Sequence, residues 1–204
     1  VIRPSDIAIT VDGVLTNTIE EGTRINLSGV FSDTGSSDIH SVTVDFGDGS
    51  TPVTRPVEFG DRAFSGFSHQ YRDDRQGTND QYLIRVILSD GEASTSAIIP
   101  IAVLNVAPMV SVAADRITKD TVRLAATIED VGIDDTHTIE WFVNGVQVAG
   151  SRLLSIPRPT TAGPINVLFR AIDDDGGIGE VTANLLVLNE QNNTVNVTQG
   201  PGGQ

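Results

Sequence analysis

The chain has no cysteine. That single absence removes disulfides, thiolate nucleophiles and cysteine-based zinc sites together. It does not argue for the cytosol, because large secreted bacterial proteins often do without the residue, whereas small animal ectodomains are usually rich in disulfides. Lysine is nearly missing too: Lys119 stands alone against twelve arginines. An acidic surface with almost no lysine suits a salty environment, and a skewed genomic base composition would produce the same pattern. Aromatic residues make up 5% of the chain, with one Trp and two Tyr. That is too few for the exposed row of rings most sugar-binding faces present. No apolar run approaches the roughly 18 residues a membrane helix needs, so no membrane insertion is expected within this segment. No targeting segment is visible, and no stretch carries a helical stripe of apolar residues.

What is abundant is negative charge. The net charge is −14 over 204 residues. A polyanion or an anionic membrane would be repelled, so nucleic acid is excluded as a partner. Hard cations, calcium above all, suit so many carboxylates. The start at Val1 and the closing "QGPGGQ" are expected to mark a piece of a longer protein.

Apolar and polar residues alternate throughout, as in Val42-Val44-Phe46, Ile84-Val86-Leu88, Leu124-Ala126-Ile128 and Val181-Ala183-Leu185. These runs are rich in β-branched residues and bounded by Gly, Asp, Asn or Pro, which predicts strands separated by turns. Short, evenly spaced strands without helices predict an all-β fold.

The chain also repeats itself. "LSGVFSDTGSSDIHSVTV" from Leu27 overlies "LAATIEDVGIDDTHTIEW" from Leu124 at a constant offset of 97. Asp33, Gly35, Asp38 and His40 thereby match Asp130, Gly132, Asp135 and His137. Both halves close on "VLN". A period near 100 residues suits two tandem immunoglobulin-like β-sandwiches rather than a solenoid. The expected domains are 1–106 and 107–190, joined by a semi-rigid "LNVAP" joint at Leu104–Pro108, with 191–204 as a flexible tail or linker.

The stretch "VTVDFGDGS", then "SHQY" at Ser68–Tyr71, "YLIRVILSDGEAS" and a closing "IAVLN" resemble the polycystic-kidney-disease (PKD) domain, in the form found in large secreted bacterial proteins. The first half departs from that family's pattern at Val44, where an aromatic is usual, and in an inserted polar loop after Tyr71. The second half is a divergent copy, with Trp141 at the aromatic position and "FVNGV" in place of the F-G-D-G stretch. The resemblance implies a non-catalytic, antiparallel PKD-type sandwich.

Gly47, Asp48 and Gly49 are expected to form a structural turn, as are Asn144 and Gly145, a type I′ hairpin signal. A phosphate cradle would need a helix to start after the glycines, and Thr51-Pro52-Val53 follows instead. None of the three histidines is expected to be catalytic. His40 and His137 share a repeat position, and the ring of His69 is expected to pack beside the F-G-D-G turn. The loop Arg72–Arg75 is expected to be a solvated mixed-charge segment, and Trp141 a core anchor.

The sharper hypothesis is metal. In a sandwich of this kind, the loop after the second strand and the loop before the last strand share one end. That gathers Asp33, Asp38 and Asp90 in the first domain. In the second it gathers Asp130, Asp134, Asp135, Asp173, Asp174 and Asp175, with Asn105 expected near by. Calcium takes six to eight hard oxygens, and bound there it would stiffen the domain junction. Asp and Gly also make good turns, so the pattern admits that plainer reading.

The expectation is therefore a non-catalytic extracellular or cell-surface module of a larger bacterial protein, with no cofactor other than calcium. Its role would be adhesion, spacing or protein–protein contact. Its partners would be protein or carbohydrate at the cell surface and neighbouring domains of the same chain. Two alternatives are an accessory polysaccharide- or protein-binding module of a secreted hydrolase, and self-association through edge strands.

Overall fold

The computed structural model describes residues 2–35, 37–75, 80–148, 150–158, 163–187 and 195–199. Seventeen strands and no helix are found among them, and so no helix long and apolar enough to cross a membrane. The chain divides into two compact units between Asn105 and Val106.

The first unit holds β1 (Arg3–Val11), β2 (Val14–Leu15), β3 (Thr18–Glu20), β4 (Arg24–Ser32), β5 (Ser41–Asp45), β6 (Val53–Pro56), β7 (Ala63–Gln70), β8 (Gln81–Ser89) and β9 (Ser94–Leu104). They form one sheet in the order β2-β1-β4-β7 and another in the order β3-β9-β8-β5-β6. All pairings are antiparallel except that of β3 with β9, in which Ile19 lies opposite Val103. The period-two pattern explains the packing. Ile25 and Leu27 of β4 turn inward to meet Val42 and Val44 of β5 and Ile84, Val86 and Leu88 of β8, all fully buried. Burying one such side chain stabilises the fold by roughly 1.5–3 kcal/mol.

The second unit holds β10 (Met109–Ile117), β11 (Thr121–Glu129), β12 (His137–Val143), β13 (Val146–Val148), β14 (Leu153–Pro157), β15 (Gly163–Asp173), β16 (Ile178–Val187) and β17 (Val195–Gln199). Its sheets run β10-β11-β14 and β13-β12-β15-β16-β17. The core places Trp141 against Phe169, ring centroids 4.6 Å apart, among Leu124, Val167, Ala183 and Leu185. Each unit is thus a two-sheet, immunoglobulin-like β-sandwich, as the alternation and the repeat predict.

One element departs from the sequence reading. Within the segment expected to be a flexible tail, Val195–Gln199 forms a strand paired antiparallel with Ala183–Val187. The Asn- and Gly-rich composition hides a short alternating run, "VNVTQ", that backbone pairing alone can order. The rest of that tail lies outside the described residues.

Candidate functional site

The two turns at equivalent places differ in construction. Between β5 and β6, Gly47 and Gly49 have φ of +80° and +84°. A Cβ on Gly47 would sit 2.6 Å from the carbonyl oxygen of Leu83, so the backbone there admits only glycine. Asp45 accepts from the Gly47 N–H at 3.0 Å. Asp48 accepts from the Ser50 N–H at 3.0 Å and hydroxyl at 2.5 Å. Its other carboxylate oxygen lies 2.6 Å from His69 Nε2. Burial would raise the Asp48 pKa, but Ser50 and His69 outweigh it and hold the carboxyl below its ordinary value. The His69 ring stacks on Phe46 with centroids 4.1 Å apart. Tyr71, fully buried, donates its hydroxyl to the Phe46 carbonyl at 3.0 Å, and burial pushes its phenol far above the usual range. In the second unit, Asn144 and Gly145 make a two-residue turn with φ of +49° and +79°; the Asn144 N–H donates to the Asn166 carbonyl at 2.8 Å, and the Asn144 Oδ1 accepts from the Asn166 N–H at 3.0 Å.

Ser50, Asp48 and His69 are linked, but the carboxylate lies in the middle. The serine hydroxyl donates to Asp48 rather than to the imidazole, which is not the order of a nucleophile, base and orienting acid. His40 and His137 face Asp33 and Asp130 at 3.0 and 2.8 Å. Among the described residues, clefts of about 520, 350 and 500 Å³ are lined by no histidine.

The acidic loops are built twice to one plan. Asp33 lies against His40 as Asp130 lies against His137. Gly35 lets Asp38 fold over it, because a Cβ there would overlap the Asp38 carboxylate. Gly132 does the same for Asp135. The third element is the loop before the last long strand. Asp90 caps the N–H groups of Glu92 and Ala93 at 3.0 and 2.7 Å, and Asp173 caps those of Asp175 and Gly177 at 3.1 and 2.6 Å.

In the first unit, Asp33, Asp38 and Asp90 each offer an oxygen within 4.8 Å of the others. Two oxygens on one calcium, each at about 2.4 Å, can be at most roughly 4.8 Å apart. The donor set, all hard oxygens, fits that ion. Hydrogen bonding from His40 holds the Asp33 carboxyl down at about 2, and the Glu92 and Ala93 N–H groups lower that of Asp90. Both are therefore ionised over the whole ordinary pH range. In the second unit, Asp135 comes within 4.8 Å of both Asp130 and Asp175. Asp174 joins the two loops by accepting from the Thr136 N–H at 2.8 Å, and the exposed Asp134 stands beside them. This end also receives the incoming chain, since a Cβ on Gly177 would touch Ala107. Asn105 falls in the first unit, after β9.

The loop Arg72–Arg75 is not the solvated segment its mixed charge suggests. Asp74 is buried, and its N–H donates to the buried Glu21 carboxylate at 3.2 Å. Tyr82 fixes the loop by donating to the carbonyls of Asp73 and Asp74. Burial pushes the Tyr82 phenol up to about 12. Glu21, Asp73 and Asp74 form a further group of oxygens within 4.8 Å. Two adjacent acid pairs, Glu20-Glu21 and Asp73-Asp74, were the only signal, and nothing local joins residues fifty positions apart. Trp141 is fully buried and donates Nε1–H to the Ser151 carbonyl at 2.7 Å. Among the described residues, Phe59 is the one aromatic that stands exposed.

No protein-family model matches the chain, and no curated protein does. Solved structures do resemble it at low identity. A two-domain fibronectin type III segment of chicken tenascin is 10% identical, covering 96% of this chain and 97% of that one, with a TM-score of 0.38. The titin domains Z1Z2, solved in complex with telethonin, are 15% identical over 90% of this chain and 98% of theirs, with a TM-score of 0.38. A red sea bream transglutaminase is 11% identical, covering 89% of this chain but 30% of its own, with a TM-score of 0.31.

Proposed function

We propose that the chain is a non-catalytic tandem module, of PKD type, in a larger secreted or cell-surface protein, and that calcium binds its acidic loops. Its work is spacing, adhesion or contact with other proteins. The observation that carries the calcium reading is the meeting of Asp33, Asp38 and Asp90 within 4.8 Å. These three residues come from two loops more than fifty positions apart, on a plan used again at Asp130, Gly132, Asp135 and His137. Bringing ionised carboxylates together costs Coulomb energy, and a divalent cation offsets that cost. In the second unit the same loops lie beside the incoming segment at Ala107. Calcium there would restrain the chain next to the Leu104–Pro108 joint and so set its stiffness.

Thermal unfolding with calcium against a chelator tests this reading. At 100 times its Kd, one bound ion adds about 2.7 kcal/mol, and Asp38→Asn together with Asp90→Asn removes the shift of the first unit. An unchanged midpoint in millimolar calcium sinks the proposal.

A further inference from the structure

The two units fill one corresponding end of the sandwich differently. Val44 lies opposite Val86 in the first as Trp141 lies opposite Phe169 in the second, so Phe46 corresponds to Val143 and Tyr82 to Ile165. In the first unit a column of rings closes this end. Phe46 stacks on His69 with centroids 4.1 Å apart, His69 meets Tyr71 edge-on at 4.9 Å, and Tyr71 stacks on Tyr82 at 4.8 Å. The second unit has no such column, because no aromatic residue occurs between Phe142 and Phe169. Val143 and Ile165 instead line a cleft of about 500 Å³, together with Val148, Ile156, Pro157 and Pro164. Its walls are apolar, and the group that the first unit sets between the same strand positions is an aromatic ring.

We propose that this cleft is a docking site for an aromatic side chain, and that Phe59 of a second copy of this chain occupies it. Phe59 is the one exposed aromatic among the described residues, with 70% of its surface open. The Asp61 N–H donates to the Glu58 carbonyl at 2.9 Å, and Gly60 has φ of +88°, so a tight turn carries the ring at its tip. The charges around plug and cleft are complementary. Glu58 and Asp61 flank the ring, while the Arg62 guanidinium turns away to the Gly35 carbonyl at 2.7 Å. At the cleft, Pro157 leads into Arg158, which donates to the Thr118 carbonyl at 3.3 Å, next to the exposed Lys119. Asp120 is the one carboxylate beside these two cations, so this rim is positive in a chain of net charge −14. Opposite potentials orient the encounter. One ring buries about 150–250 Å², far below the roughly 1,600 Å² of a standard interface. The contact is therefore weak and depends on concentration.

Sedimentation of the full chain across submillimolar concentrations, with chelator present, tests the contact. The wild-type chain should associate increasingly as concentration rises. Phe59→Ala removes the plug, and Val143→Phe fills the cleft with the residue the first unit has there. Each variant alone should sediment as a monomer. Mixed in equal amounts they should form a dimer, because one keeps the cleft and the other keeps Phe59. Pro164→Glu, at an exposed cleft position, repels Glu58 and Asp61 and should act as Val143→Phe does, so the test survives if Val143→Phe unfolds the second unit. Circular dichroism confirms that the sheets persist in each variant used. A wild-type chain that stays monomeric, a folded variant that associates as the wild type does, or a mixture of folded variants that stays monomeric would overturn the proposal. The inference goes beyond the calcium reading and shares no residue with it, so either can fail alone, and the chelator keeps the two results separate.

Discussion

The two units share one topology at the hairpin after the second core strand but stabilise it by different means. In the first, the loop from Phe46 to Pro52 is held by long-range contacts: His69 on Asp48, Tyr71 on the Phe46 carbonyl, and the Leu83 carbonyl against Gly47. In the second, Asn144 and Gly145 turn the chain in two residues at positive φ, tied to one strand only by paired bonds between Asn144 and the Asn166 backbone, and the stabilising volume has moved into the strand as Trp141. At the repeat offset, Trp141 stands where the first unit has Val44, and Val143 where it has Phe46. One aromatic is exchanged for another, two residues along. A sandwich core tolerates that shift because successive inward positions point into the same apolar layer.

The largest effect follows from where that volume sits. Trp141→Ala should destabilise the second unit by about 3–5 kcal/mol, a large share of the roughly 5–15 kcal/mol by which a domain is ordinarily stable. It removes a fully buried side chain, its contact with Phe169 and its bond to Ser151. Val44→Ala, at the matching position of the first unit, deletes only two methyl groups and should cost roughly a third as much. Denaturant titrations that resolve two transitions measure both. Equal losses would show that the two cores do not divide their volume in this way.

The turns give the next contrast. Gly47→Ala forces a Cβ to within 2.6 Å of a backbone oxygen at positive φ, and should cost the first unit about 2–4 kcal/mol. Gly145 has nearly the same φ but open space around its Cβ position, so Gly145→Ala should cost about 1 kcal/mol. If the two substitutions cost the same, the clamp on the first turn contributes nothing beyond its dihedral angles.

Strand positions and the two-sandwich architecture were legible because each depends on short-range pattern. Val42-Val44 and Ile84-Val86-Leu88 alternate with a period that only a pleated strand satisfies. The offset of 97 is a statement about sequence alone. The loops at one end of each unit were legible through topology, which fixes where loops go once the strands are known. The burial of Asp74 against Glu21 was not legible. It depends on Tyr82 reaching two carbonyls of a loop whose composition resembles any solvated segment. Nor was β17, since five residues of weak alternation in a Gly- and Asn-rich tail give no signal until an edge strand is there to pair with.

The smallest expected effect sharpens the repeat itself. Asp33 and Asp130 each face a histidine seven residues on, and the Asp33 pair is the more deeply enclosed, both side chains being 2% exposed against 14% and 6% for His137 and Asp130. The Asp33 pKa is depressed on folding, from 3.8 to about 2, chiefly by the hydrogen bond from His40. A depressed carboxyl contributes stability that is fully present above the unfolded value and lost as pH falls through the folded one. The first unit should therefore weaken between about pH 4 and pH 2 as Asp33 takes up its proton. His40→Gln should move the carboxyl resonance of Asp33 to titrate nearer 3.8 and flatten the acid limb of the stability curve over that window. His137→Gln in the other unit should leave the Asp33 titration unchanged. Carboxyl-detected NMR titrations of the wild-type chain and the two variants read this directly. An Asp33 midpoint that stays near 2 without His40 would mean that the surrounding backbone, rather than the imidazole, holds the charge.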